Sequence, residues 1–400
     1  MKRNRAGAAA SRICGGFRIA SGVRIYTVNS LLKGGTVMAE VSRTAIEQAI
    51  QRWTEPFLGM DLLTAGAVER IVTEDRRVRI LLRLGFPVGR YQVQLRAGLV
   101  DVVTAALPGI EVTVEVGWRV TSRAVQVKLK PLANVRNIIA VASAKGGVGK
   151  STVAANLALA LADEGARVGV LDADIYGPSQ PRMMGVAGRR PESPDGKSIT
   201  PLENYGVQVM SIGFLIEEEA PMVWRGPMVT QALTQLLNDT RWQDLDYLVV
   251  DLPPGTGDIQ LTLAQRVPVS GAVVVTTPQE IATLDARKGI RMFQKVRVPV
   301  LGVLENMSIH TCSQCGHAEH IFGEGGGKRL AEEEGVVLIG ALPLDGRIRE
   351  QADNGRPSVV AEPDGRVAEL YRQAALRTAA QLSKLAAAPS SPFPQIVVED

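Results

Sequence analysis

The sequence predicts an α/β fold, with a mostly parallel sheet flanked by helices and a small α+β domain in front of it. Three observations lead there. From Asn137 to about residue 380, apolar strand-like runs alternate with helical stretches, the signature of parallel strands joined by crossover helices. The first of these units, Asn137–Thr152, reads NIIAVASAKGGVGKST: a β-type run, a glycine-rich turn, then the helix-forming run Val153–Ala162. Ahead of it, Val41–Pro131 shows a different order of helix, hairpin, helix and strands.

Length and composition agree with two domains or more. The chain has 400 residues, and folded domains take about 100–200 each. Apolar residues make up 46% and charged residues 22%, as in an ordinary globular protein. No run approaches the ~18 uninterrupted apolar residues of a membrane span. The formal charge of +4 is unevenly distributed, because residues 1–37 hold seven basic residues and no acid, leaving −3 for the rest. Basicity therefore belongs to the leader and gives no reason to expect nucleic-acid binding by the folded part. The leader itself reads as a disordered or spurious extension ahead of Met38, with an organelle transit peptide or a basic arm as the other readings. Three cysteines point to a reducing compartment, and the localisation expected is cytoplasmic.

The expected divisions are a leader over 1–37, a small α+β domain over 38–132, an NTPase domain over 133–386 and a flexible tail over 387–400. In the small domain, Ala45, Ile46, Ala49, Ile50 and Trp53 lie at helical spacing. The runs Val68–Val72 and Val78–Leu84 form a hairpin across a charged turn. A helix over Gln92–Leu107 follows, then strands over Ile110–Val116 and Ala124–Leu129. The domain has no Cys, no His and no paired carboxylates, so it reads as a binding, regulatory or scaffolding module.

The strand–loop–helix unit carries the first chemical signal. Gly146, Gly147 and Gly149 let backbone N–H groups converge on one concavity at a helix N-terminus, which suits phosphate. Lys150 is placed to reach the β- and γ-phosphates, and the Ser151 hydroxyl to bind Mg²⁺. The strict pattern asks for Gly where this chain has Ala144, and Lys145 is an additional lysine, so the loop is a deviant form. Ala144, Lys145, Gly146, Gly147, Val148, Gly149, Lys150, Ser151 and Thr152 form the expected nucleoside triphosphate cradle.

Further along, strands over Arg167–Leu171 and Tyr247–Val250 end in carboxylates. The first ends in Asp172-Ala173-Asp174, followed by a loop able to move with the γ-phosphate; the second ends in Asp251. Such strand-end acids suit Mg²⁺ or the attacking water. Gly255 is placed to offer its N–H to the γ-phosphate. Strands over Gly271–Thr276 and Val300–Leu304 end in polar residues, among them Asn306, whose amide can pair with a base edge or serve as a turn residue.

The second signal is IHTCSQCGHAEHIF, Ile309–Phe322. All three histidines (His310, His317, His320) and two of the three cysteines fall within it. Cys312 and Cys315 form a C-x-x-C pair suited to a soft metal centre, a redox dithiol, or a zinc site shared with His317 and His320. Two thiolates are half of what an iron–sulfur cluster normally takes, so a cluster would need a second copy of the loop in a symmetric dimer.

From about Val41 onward the chain resembles the Mrp/Nbp/ApbC iron–sulfur carrier ATPases, within the deviant-Walker-A (SIMIBI) class of P-loop NTPases. The matching motifs are AKGGVGKST (Ala144–Thr152), LDADIYGPS (Leu171–Ser179), VWRGPM (Val223–Met228) and DLPPGTGD (Asp251–Asp258). ENMS, CSQC and the IFGEGGG and PLD stretches continue the match. The small domain resembles, more weakly, the iron–sulfur assembly domain fused in front of such ATPases. Glu55-Pro56 stands where that family has Asp-Pro, and Val88-Gly89 stands where many members have a Cys, so no cluster thiol is expected there.

The resemblance implies ATP, Mg²⁺ and a 4Fe–4S cluster as cofactors. It implies that Lys150 binds phosphates, Ser151 and Asp251 hold Mg²⁺, and Asp174 positions the attacking water. Lys145 would reach the nucleotide of the partner subunit, and Asn306 would recognise adenine. Cys312 and Cys315 would bind the cluster between two protomers of a homodimer, with an assembly scaffold as donor and apo iron–sulfur proteins as recipients. Two alternatives stand beside this reading. One is a ParA/MinD-like positioning ATPase on DNA or membrane, disfavoured by the C-x-x-C pair, the −3 charge and the lack of a basic amphipathic tail. The other is an ATPase with a structural zinc loop.

Overall fold

The computed structural model describes residues 42–126, 129–214 and 226–388. The basic leader with Cys14, Val223–Arg225 of the VWRGPM motif and the tail beyond residue 388 lie outside them.

The N-terminal part begins with α1 (Arg43–Gln51), whose first turn is capped by the Ser42 hydroxyl accepting from the Ala45 N–H. Strands β1 (Val68–Glu74) and β2 (Arg77–Leu84) form the expected hairpin. Helix α2 (Gln92–Ala106) then crosses over to β3 (Glu111–Trp118), which pairs with β2 in parallel. Strand β2 shows the alternation of a one-sided sheet: Val78, Ile80, Leu82 and Leu84 are buried while Arg77, Arg79 and Arg83 face water. Ile46 and Ile50 of α1 and Leu95, Leu99 and Val103 of α2 complete this core. The strand expected over Ala124–Leu129 does not form among the described residues. Arg123 makes a single bridge with Ala387 and the Ala124 N–H donates to Ala386 O, so this segment is tied to the C-terminal end of the chain rather than to a sheet.

The large sheet has eight strands: β4 (Val135–Ala142), β5 (Val168–Asp172), β6 (Leu202–Asn204), β7 (Val207–Ser211), β8 (Leu245–Asp251), β9 (Gly271–Thr276), β10 (Val300–Glu305) and β11 (Leu338–Ala341). Their order is β11-β10-β9-β4-β8-β5-β7-β6, and every neighbouring pair is parallel except β6–β7. The expected fold class holds. The antiparallel edge hairpin β6–β7 has no counterpart in the sequence reading, because a three-residue strand with one buried residue carries no periodic signal. The central strands are buried on both faces, which is why they read as continuous apolar runs rather than alternations.

Helices on the two faces are α3 (Lys150–Asp163), α4 (Gln180–Met183), α5 (Gly226–Asp239), α6 (Asp258–Arg266), α7 (Glu280–Lys295), α8 (Gly326–Glu334), α9 (Gly346–Asp353), α10 (Ser358–Ala361) and α11 (Arg366–Ser383). The chain leaves β4 toward one side of the sheet for β5 and later returns to the other side for β9 and β10. The crevice above the carboxyl ends of β4, β8 and β5 is thus the switch point where such sheets bind ligands.

The far end of α3 is plugged into the N-terminal part. Glu164, 1% exposed, accepts from the N–H groups of Arg90 and Tyr91 through Oε2 (2.9 and 3.1 Å). Its carbonyl accepts from Gly89 N–H at 2.9 Å. The Tyr91 hydroxyl in turn donates to Glu55 Oε1 at 2.7 Å, and Arg90 pairs with Asp163 and Asp364. Gly165 follows at φ +93°, and a Cβ there would come within 2.9 Å of the Trp118 ring.

Two predictions follow from this junction. Gly165→Ala combines left-handed backbone with that clash and is expected to lower unfolding stability by about 1–3 kcal/mol in urea titration. Burial lifts the Glu164 carboxyl above its ordinary 4.5 in the folded state. Wild-type protein is therefore expected to lose stability relative to Glu164→Gln as pH rises from 4.5 through the raised value, read from urea midpoints across pH.

Candidate functional site

The loop after β4 is shaped by its glycines. Gly147 and Gly149 sit at φ +80° and +82°, and added Cβ atoms at Gly146 and Gly147 would meet only open space. Gly149 is different: a Cβ there would lie 2.3 Å from Asn306 Nδ2. That amide donates to Val148 O at 2.9 Å, so the residue after β10 grips the underside of the phosphate loop. A cavity of about 250 Å³ over the loop is lined by Lys145, Gly146, Gly147, Lys150, Ser151 and Asp174. A neighbouring one of about 330 Å³ runs from Lys145 and Val148 to Thr277, Met307 and Phe322.

Charge within the crevice is concentrated on Lys150. It is the first residue of α3 and only 6% exposed. Its Nζ donates to Asp251 Oδ1 at 2.5 Å, lies 3.2 Å from Ser151 Oγ and stands 3.8 Å from Asp174 Oδ2. Asp251 is wholly buried at the end of β8, and its second oxygen accepts from Gln180 Nε2 at 2.9 Å. The lysine thus neutralises the buried acid. Asp174 is pushed above the usual carboxylate range by burial, against the pull of Lys150.

Asp172, one strand over, turns inward as a bracket. Its carboxylate accepts from the N–H groups of Asp174, Ser179 and Gln180 and from the Ser211 hydroxyl, all at 3.0–3.1 Å. It thereby folds the loop carrying Asp174 back over the site. Burial and the nearby Asp251 charge push it up to about 7. Neither Asp172's bracketing nor Gln180's bonds are signalled by local sequence. Gln180 lies 71 positions from Asp251, and only the fold joins them.

The oxygen donors present suit a hard divalent cation: the Ser151 hydroxyl, the Asp251 and Asp174 carboxylates, and two buried atoms without a partner, Ser179 Oγ and Gln180 Oε1. Two other expected residues are engaged elsewhere in this conformation. The Gly255 N–H donates to Ser143 O at 2.9 Å rather than facing the loop's cavity. Lys145 is half-exposed, 3.7 Å from Asp285 on α7.

Cys312 and Cys315 occupy the turn of a small hairpin, His310–Thr311 against Ala318–Glu319. Cys315 is exposed and Cys312 partly so, and both are free thiols. Backbone N–H groups of Cys315 and Gln314 aimed at the Cys312 sulfur hold its thiol below the usual range, favouring thiolate. His310 donates through Nδ1 to Leu344 O (3.0 Å) and His320 through Nδ1 to Ser308 O (2.7 Å), so both brace the hairpin against the sheet. Among the described residues no three His, Cys, Asp or Glu side chains gather as a metal-holding group. The hairpin begins four residues after the loop-gripping Asn306, through Met307 at φ +57°.

Comparison with known proteins follows the same division. A family described as NUBPL iron-transfer P-loop NTPase matches residues 134–379, and an iron–sulfur cluster assembly family matches 43–116. The iron–sulfur cluster carrier protein of Pseudomonas fragi is 62% identical over 264 residues, 66% of this chain and 92% of its own. That of Escherichia coli K12 is 49% identical over 347 residues, 86% and 93% of the two chains. A nucleotide-binding protein of Archaeoglobus fulgidus, solved with ADP, superposes with a TM-score of 0.51 at 38% identity, covering 58% of this chain and 90% of that one.

The Lys150–Asp251 pair gives a direct test. Lys150→Met leaves a wholly buried carboxylate without its cation and is expected to destabilise the nucleotide-free protein by about 3–5 kcal/mol. Adding Asp251→Asn should restore most of that loss in chemical denaturation.

Proposed function

Because the chain belongs to the NUBPL-type iron-transfer P-loop NTPases, we propose that it is an ATP-driven carrier that takes up a 4Fe–4S cluster and hands it to apo-proteins. The observation that carries this is the short covalent path from the phosphate loop to the dithiol. Asn306 grips Val148 O, and Cys312 and Cys315 hang six and nine residues further on, in a hairpin braced by two histidines. The cluster is cargo, so an accessible dithiol whose Cys312 favours the thiolate suits it better than a closed site.

Two thiolates per chain satisfy half of a four-thiolate cluster. The carrier is therefore a homodimer with the cluster on its two-fold axis, each copy supplying Cys312 and Cys315. Residues 133–386 act as the ATPase domain and 38–132 as an assembly-type domain mounted on it. In the ATPase cycle, Lys150 leaves Asp251 for the β- and γ-phosphates as the triphosphate enters. Ser151 and Asp251 would hold Mg²⁺, which would supply neutralisation of the phosphate charge. Asp174, with its raised proton affinity, orients the attacking water, and Lys145 reaches across to the partner's nucleotide. Asn306, with Nδ2 committed to the loop, turns Oδ1 to the adenine edge. Hydrolysis changes how the two copies are held and so releases the cluster from donor-loaded carrier to recipient. The chain works in the cytoplasm, and among its described residues no helix is long and apolar enough to cross a membrane.

Anaerobic reconstitution with iron and sulfide tests this reading. Wild-type protein is expected to gain a broad visible absorption band and about four iron atoms per dimer, both lost in Cys312→Ser and Cys315→Ser. A monomer holding one tightly bound zinc and no iron would refute it.

A further inference from the structure

Gln180 is a neutral side chain bonded to both the phosphate-loop helix and the buried acid. It opens α4, the four-residue helix that ends the loop carrying Asp174, and it is 0% exposed. Its Nε2 donates to Ser151 O at 3.0 Å and to Asp251 Oδ2 at 2.9 Å. Its backbone N–H is held by Asp172 Oδ2 at 3.0 Å. The residue thus ties the first turn of α3 to the ends of β8 and β5, the first two through its side-chain amide and the third through its backbone N–H. Its Oε1 is buried and has no partner among the described residues, and the same holds for the adjacent Ser179 Oγ.

An orphaned buried acceptor is costly, and it persists where a ligand supplies the missing donor. The residue type fits that purpose. An amide offers donors to a carboxylate and an acceptor to water without adding charge beside Asp172, Asp174 and Asp251. A cation here would compete with Lys150, and a further acid would repel Asp251.

We propose that Gln180 is a positioning residue of the cation–phosphate site. When Lys150 departs for the phosphates, Nε2 keeps Asp251 Oδ2 and Ser151 O in place, so that Asp251 Oδ1 and Ser151 Oγ face the cation. Oε1 accepts a hydrogen bond from a water of the cation's hydration shell. The residue makes nucleotide affinity depend on Mg²⁺ and ties that dependence to the loop carrying Asp174. This rests on the nucleotide reading above.

The test is equilibrium binding of a fluorescent ADP analogue to the full chain, in Mg²⁺ and in EDTA, for wild type, Gln180→Met and Gln180→Asn. Met keeps the volume without the polar atoms, and Asn keeps the amide but falls short of both partners. In Mg²⁺, each variant is expected to bind about tenfold more weakly than wild type, while in EDTA all three bind alike. Circular dichroism melts identify any variant that has lost its fold, and the other then decides. Equal weakening with and without Mg²⁺, or none in either, overturns the positioning role. A wild-type chain that binds no nucleotide in either buffer overturns the nucleotide reading itself.

Discussion

Everything near the switch point depends on one buried ion pair. Asp251 has no contact with water, and its charge is met by Lys150, itself nearly buried. Removing either partner strands the other, so the site is stable only while Lys150 neutralises the acid or something replaces it. Under the proposed function, incoming phosphates would compete for the lysine, and a cation would replace it beside the acid. In the proposed cycle this exchange would act as a switch, because one lysine cannot serve both Asp251 and the phosphates.

Two structural connections lead away from that switch. Helix α3 begins at Lys150, and the residue that caps its other end, Glu164, receives backbone N–H groups from Arg90 and Tyr91 of the N-terminal part. On the opposite side, Asn306 holds Val148 O, and the chain continues through Met307 and Ser308 to the dithiol hairpin. Ser308 O is also the acceptor for His320, so both legs of the hairpin are anchored to the segment that touches the loop. A shift of the loop has a short mechanical route to the cysteines and a longer, rigid one to the N-terminal sheet.

Much of this could be read from local sequence because its physics is local. The glycine spacing of Ala144–Thr152, the apolar runs ending in Asp174 and Asp251, and the C-x-x-C spacing each encode their geometry within a dozen residues. What escaped depends on contacts between distant positions. Gln180 looks like a helix-start residue until β8 brings Asp251 to it, and Glu164 looks like a solvent-facing acid until the N-terminal part covers it. The β6–β7 hairpin was too short for periodicity to register, and Ala124–Leu129 carried a strand-like composition without a sheet edge to join. Of the two histidines weighed as zinc ligands beside the cysteines, His320 has its Nδ1 bound to the Ser308 carbonyl, a contact set by the fold and invisible in the spacing.

The link between the nucleotide switch and the cysteines is tested most directly by timing cluster transfer from anaerobically loaded protein to an apo-ferredoxin acceptor by circular dichroism. The comparison is between Mg²⁺ with ATP and Mg²⁺ with a non-hydrolysable analogue. Transfer should be clearly faster with ATP, and the difference should vanish in Lys150→Ala. Equal rates with ATP, with the analogue and without nucleotide would show that the cysteines release their cargo independently of the phosphate site.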